Sequence, residues 1–168
     1  MPAFIDHILE VTGQEKLTYI GHSQGTTQVF LGASLLPEYY TSKVNLFVAL
    51  GPVANLKNIE VGFYRDIAPF WRELQLLFLT RGDFDLANTN WWEEEAELVL
   101  CDKIGAKVCD ALLKYGADAN LEVDNLDRLG VFVKDFPAGQ GYQGIVFYGQ
   151  DVLSDGWRLF DYGLSGNF

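Results

Sequence analysis

Ser23 is the residue in this sequence best placed to do chemistry. It sits in Gly21-His22-Ser23-Gln24-Gly25, with a glycine two residues to either side. A serine hydroxyl becomes a nucleophile when the backbone presents it at a sharp turn and donors wait for the charge that develops on its target. The flanking pattern predicts such a turn. Leu17 to Ile20 reads as a short strand after the turn Gly13-Gln14-Glu15-Lys16, and Thr26 to Leu36 reads as a helix that ends before Pro37. A strand, a Gly-x-Ser-x-Gly turn and a helix in that order form a nucleophile elbow, in which Ser23 takes a strained conformation. Gly21 and Gly25 are expected to leave room where side chains would clash. The Gln24 N–H, at the start of the helix, is the candidate oxyanion donor. The competing reading is a glycine-rich turn in which Ser23 only caps the helix.

The elements around the turn predict an α/β unit. Pro2 suits a first helical turn, Phe4, Ile5, Ile8 and Leu9 recur at helical spacing, and Thr12-Gly13 reads as a stop. Val44 to Leu50 is a nearly continuous apolar run, expected as a strand covered on both faces. Strand, helix and strand of these lengths make a parallel crossover. Residues 1–55 carry two basic and four acidic groups, and residues 56–168 carry ten and nineteen. The shift near Leu56 is the expected boundary between a domain at 1–55 and one at 56–168. The second segment reads as mostly helical. Phe70, Trp71, Leu74, Leu77 and Phe78 share helical spacing, and Asn90-Trp91-Trp92-Glu93 resembles a capping box.

Composition narrows the partners. Twelve Lys and Arg against 23 Asp and Glu give a net charge of −11. That balance argues against nucleic acid and against electrostatic docking on an anionic membrane. No apolar run reaches transmembrane length. No His/Cys/Asp cluster has metal-site spacing, no glycine-rich phosphate loop is present, and no cofactor is expected.

The motif extends beyond the elbow. Pro2-Ala3-Phe4-Ile5-Asp6, Thr12-Gly13-Gln14 and Gly21-His22-Ser23-Gln24-Gly25-Thr26-Thr27 together resemble the acid lipase family, which includes gastric and lysosomal acid lipases. Ala49-Leu50-Gly51-Pro52-Val53-Ala54 is similar to that family's strand leading into its cap. Pro137-Ala138-Gly139, Gln143, Gln150 and Phe160-Asp161-Tyr162-Gly163 are similar to the cap's end. The resemblance implies a partial α/β-hydrolase core followed by a helical cap. It implies a lipase or esterase acting on triglyceride or sterol esters, with a lipid–water interface as a candidate partner, Ser23 acylated and Gln24 N–H in the oxyanion hole. A secreted or lysosomal parent is implied as well. Phe70, Trp71, Leu77, Phe78, Trp91 and Trp92 are candidates for acyl contact, or else core residues of the cap. Cys101 and Cys109 stand where the family carries a cap disulfide. Eight residues along one helix separate them by about 12 Å, so closure needs a break, which Gly105 permits.

One part of the machinery is missing. The triad order in this fold is Ser, acid, His, yet both histidines, His7 and His22, precede Ser23. His7 is expected on a solvated helix face and His22 is expected to pack locally. Ile145 to Leu153 imitates an apolar strand, with Asp151 where a triad acid often sits, although the flanking matches place it in the cap. The expectation is an internal fragment of a longer lipase, inactive alone. The alternative is a non-catalytic lipid-binding remnant.

Overall fold

A computed structural model describes residues 1–82, 85–86, 114–115, 125, 128 and 139–163. The chain divides into two compact units, Met1–Asn55 and Leu56–Phe168.

The first unit is a small α/β assembly. Helix α1 (Pro2–Thr12) opens with proline in its first turn and ends at Gly13, whose φ of 67° is the left-handed conformation that stops helices. Strand β1 (Leu17–His22) and strand β2 (Val44–Leu50) pair in parallel. Helix α2 (Gln24–Leu35) and helix α3 (Pro37–Lys43) make the crossover between them. The register runs from Leu17 opposite Val44 to His22 opposite Leu50, with one irregularity after Leu17. Pro37 ends the expected helix but also starts α3, since its fixed φ and missing N–H suit a first helical position.

All three helices contribute to one core. Ile5 and Leu9 of α1, Val29 of α2 and Tyr40 of α3 are buried together, with Leu17, Tyr19, Val44 and Phe47 packed against them. Phe47 meets Tyr19 and Phe30 edge-on at 5.8 and 5.4 Å, the arrangement aromatic quadrupoles prefer. The expectation that β2 is covered on both faces is corrected. Leu46 and Leu50 of β2 and Ile20 of β1 are exposed. Successive strand side chains alternate faces, and these helices cover only one of them.

In the second unit, helix α4 (Gly62–Ile67), a 3₁₀ turn (Ala68–Phe70) and helix α5 (Trp71–Arg81) pack against helix α6 (Tyr142–Val152). Two short antiparallel strands, β3 (Asp85–Leu86) and β4 (Gln140–Gly141), complete the described part. A Cβ on Gly149 of α6 would lie 3.0 Å from the Trp71 side chain, so the absent side chain sets how closely α6 approaches its neighbour. Phe78 meets Tyr142 at 5.9 Å and Trp71 is half-buried, while Phe70 and Leu77 are exposed. The expected capping box at Asn90, Trp91 and Trp92, and the pair Cys101 and Cys109, lie outside the described residues.

The run from Ile145 that imitates a strand in sequence is α-helical through Val152, as its placement in a helical cap implies. Val146 through Val152 are all buried in α6. A helix buried all round has no polar stripe, and a short unbroken apolar run does not separate helix from strand by periodicity.

Asp151 is 1% exposed. Its Oδ2 accepts from Leu56 N–H at 2.9 Å, and its Oδ1 is buried without a hydrogen-bond partner among the described residues. Burial pushes the carboxyl above its ordinary range, while the Leu56 N–H and the Arg158 charge act the other way. The folded unit therefore keeps a proton at pH values where the unfolded chain has released it. Stability falls as pH rises through the interval between the unfolded and folded pKa. Asp151→Asn keeps an acceptor for Leu56 and removes the charge. The variant is expected to gain about 1 kcal/mol or more at neutral pH and to lose that downward slope. Melting temperatures from about pH 4 to pH 7 test this. A variant that melts lower than the parent at neutral pH would contradict it.

Candidate active site at the strand to helix turn

β1 runs to His22 and α2 begins at Gln24, two residues earlier than the periodicity predicts. The turn between them is Ser23 alone. Its φ is 50° and its ψ −116°, and it is the only non-glycine residue with positive φ among those described. Such a conformation costs on the order of 1–3 kcal/mol and persists only where its surroundings enforce it. Ser23 is exposed and makes no side-chain capping hydrogen bond to α2. The capping alternative therefore has no hydrogen bond behind it.

The two glycines of the motif differ. A Cβ on Gly21 would lie 2.9 Å from both the Gly25 carbonyl carbon and the Tyr19 ring, closer than real Cβ atoms approach. A Cβ on Gly25 would meet only the Tyr19 hydroxyl, at an ordinary 3.6 Å. Space is thus demanded at Gly21 and not at Gly25.

Several supports of the turn were not singled out from sequence for any structural role. Ser23 N–H donates to Leu50 O at 3.0 Å, tying the turn to the end of β2. Tyr19 OH donates to Gly25 O at 3.2 Å, and burial raises the Tyr19 pKa, so it stays a neutral donor. The buried hydroxyls of Thr26 and Thr27 both reach Val53 in the loop after β2. Their signal in the sequence is two consecutive threonines in the first turn of a helix, where hydroxyls find backbone partners. The remote partner carries no such signal.

Gln24 is the first residue of α2, so its N–H has no carbonyl one turn back within the helix. His7 and His22 are both exposed. His22 lies beside Gly51, where a Cβ would be 3.8 Å from its Nε2, and no hydrogen bond joins either histidine to Ser23 among the described residues. A groove of about 450 Å³ in this unit is lined by residues including Phe4, Ile8, Tyr19 and Ile20, and Ser23 is not among them. Asp151 belongs to α6 of the second unit. Among the described residues no three His, Cys, Asp or Glu side chains gather as a metal site, and no helix is long and apolar enough to cross a membrane.

The chain is 35% identical to lipase lipl-1 of Caenorhabditis elegans over 99% of its own length. It is 32% identical to lipase member K of Mus musculus and 33% identical to gastric triacylglycerol lipase of Bos taurus, each over 97%. The relatives it matches are lipases of the gastric and lysosomal type. The chain spans 40–42% of the length of those three relatives. No family model matches it. The matched span holds the whole elbow with its supports.

Proposed function

We propose that this chain carries the nucleophile of a serine hydrolase that cleaves lipid carboxylic esters. Its 1–55 segment would be part of an α/β-hydrolase core and its 56–168 segment the cap over the acyl site. The observation that carries the reading is the backbone of Ser23, held at positive φ and exposed between a parallel strand and a helix. The relatives' names support the substrate class.

In the proposed reaction Ser23 Oγ attacks the ester carbonyl carbon while a base takes its proton. The carbonyl oxygen gains the charge and Gln24 N–H stabilises it. Collapse expels the alcohol, which takes up a proton. Water then attacks the acyl-Ser23 ester, releasing the fatty acid and restoring the hydroxyl. Among the described residues neither His7 nor His22 bonds to Ser23, so neither is assigned as that base.

Chemical rescue tests the reading. The folded chain is treated with a fluorophosphonate probe with and without imidazole, and the modified residue is located by mass spectrometry. Ser23 is expected to label slowly alone and about tenfold or more faster with imidazole, since general-base assistance is worth roughly 10²–10⁴ in rate. Ser23→Ala should abolish the label. If folded chain stays unlabelled at Ser23 even with imidazole, the hydrolase reading fails. The second reading, a non-catalytic lipid-binding chain, then stands.

A further inference from the structure

Three polar groups converge behind the elbow. The Ser23 carbonyl oxygen accepts from Thr26 N–H at 2.9 Å and lies 2.6 Å from Thr26 Oγ1. Thr26 Oγ1 in turn lies 2.9 Å from Val53 N. Thr26 is fully buried and Thr27 nearly so.

The direction of each bond follows from chemistry. A backbone N–H only donates and a carbonyl oxygen only accepts. Val53 N–H therefore donates to Thr26 Oγ1, and the single hydroxyl proton of Thr26 goes to Ser23 O. Thr27 Oγ1 donates to Val53 O at 2.8 Å, so Val53 is held at both of its backbone polar groups.

The Ser23 carbonyl and the Gln24 N–H belong to one planar peptide group and point in opposite directions. Two donors on the oxygen fix the plane, and with it the direction of the Gln24 N–H. Donation to the oxygen also draws charge along the peptide and makes its N–H a stronger donor. We propose that Thr26 is a positioning residue for the oxyanion donor: its hydroxyl, oriented by Val53, fixes and polarises the Ser23–Gln24 peptide. A threonine hydroxyl bonded three residues back is an ordinary local feature of helix starts. Here the carbonyl belongs to the strained residue, and a backbone N–H 27 residues away spends its hydrogen bond on that hydroxyl. The proposal rests on the role given to Gln24 above.

Thr26→Val keeps the shape and removes the hydroxyl, and Thr26→Ser restores it. In proton–nitrogen NMR of the folded chain, the Gln24 amide proton is expected to move upfield in Thr26→Val and return toward its native position in Thr26→Ser. Imidazole-assisted labelling of Ser23 should slow about two- to fivefold in Thr26→Val and recover in Thr26→Ser, as loss of part of one oxyanion donor's contribution gives. A Gln24 amide that stays in place while the Thr26 and Val53 amides move overturns the proposal and leaves Thr26 a local cap. If Thr26→Val does not fold, the parent chain decides. Its Thr26 hydroxyl proton should exchange slowly with solvent and show a cross-peak to the Val53 amide, and its absence overturns the relay. A Gln24 shift without any labelling of Ser23 upholds the relay while the hydrolase reading falls.

Discussion

Gly21→Ala is expected to destabilise the first unit by about 1–3 kcal/mol, the usual cost of forcing atoms into filled space. Gly25→Ala is expected to be neutral or to stabilise by up to about 1 kcal/mol. The motif treats these glycines alike, but their surroundings do not. At Gly21 the new methyl meets the Gly25 backbone at 2.9 Å, and that backbone is the first turn of α2. Relief would require moving the helix or the strand, and with either the Ser23 turn. At Gly25 the methyl makes an ordinary contact with the Tyr19 hydroxyl. Alanine there also costs the unfolded chain conformational freedom that glycine retains, which favours the fold. Urea unfolding of both variants, followed by Tyr19 and Phe47 resonances, measures the difference. Equal losses at the two positions would mean that crowding at Gly21 does not set the turn.

Ile5→Ala should cost about 2–5 kcal/mol, the range for truncating a fully buried aliphatic side chain. Val11→Ala, on the same helix, should change stability by no more than about 0.5 kcal/mol. Ile5 is wholly buried and Val11 is 71% exposed. Ile5 packs with Leu9, Val29 and Tyr40, so its truncation opens a void shared by three helices. Marginal stability makes that serious, because at roughly 0.05–0.15 kcal/mol per residue a 55-residue unit has only a few kcal/mol in hand. Exchange of the α1 amides in the folded chain reads the loss directly. Similar protection in both variants would show that α1 is not anchored through Ile5.

Much of the first unit was legible because its signals are local. Gly13 ends α1 by its own conformation, and the alternating burial of β1 follows its pleat. The placement of Ser23 between strand and helix needed only the change of period around two glycines. Elsewhere local signals did not suffice. Phe4 belongs to the expected apolar face of α1 yet is 62% exposed, since only the stripe through Ile5 and Leu9 meets the sheet. The apolar run of β2 promised two covered faces, and these helices cover one. The run from Ile145 to Leu153 imitates a strand yet is helical through Val152, because burial on all sides erases the polar stripe that would have marked a helix.

The order of residues by itself marked the strained turn at Ser23 and the parallel crossover that carries it. Those depend on steric limits and periodicities acting over a few positions. Tertiary structure alone decided that Gly21 and not Gly25 is irreplaceable for space, that Thr26 and Thr27 grip Val53, and that Asp151 is buried against Leu56 N–H. Each of these joins backbone or side chains brought together by folding, the last across 95 residues. No local propensity encodes which distant group will arrive there, because the packing of whole elements sets that approach.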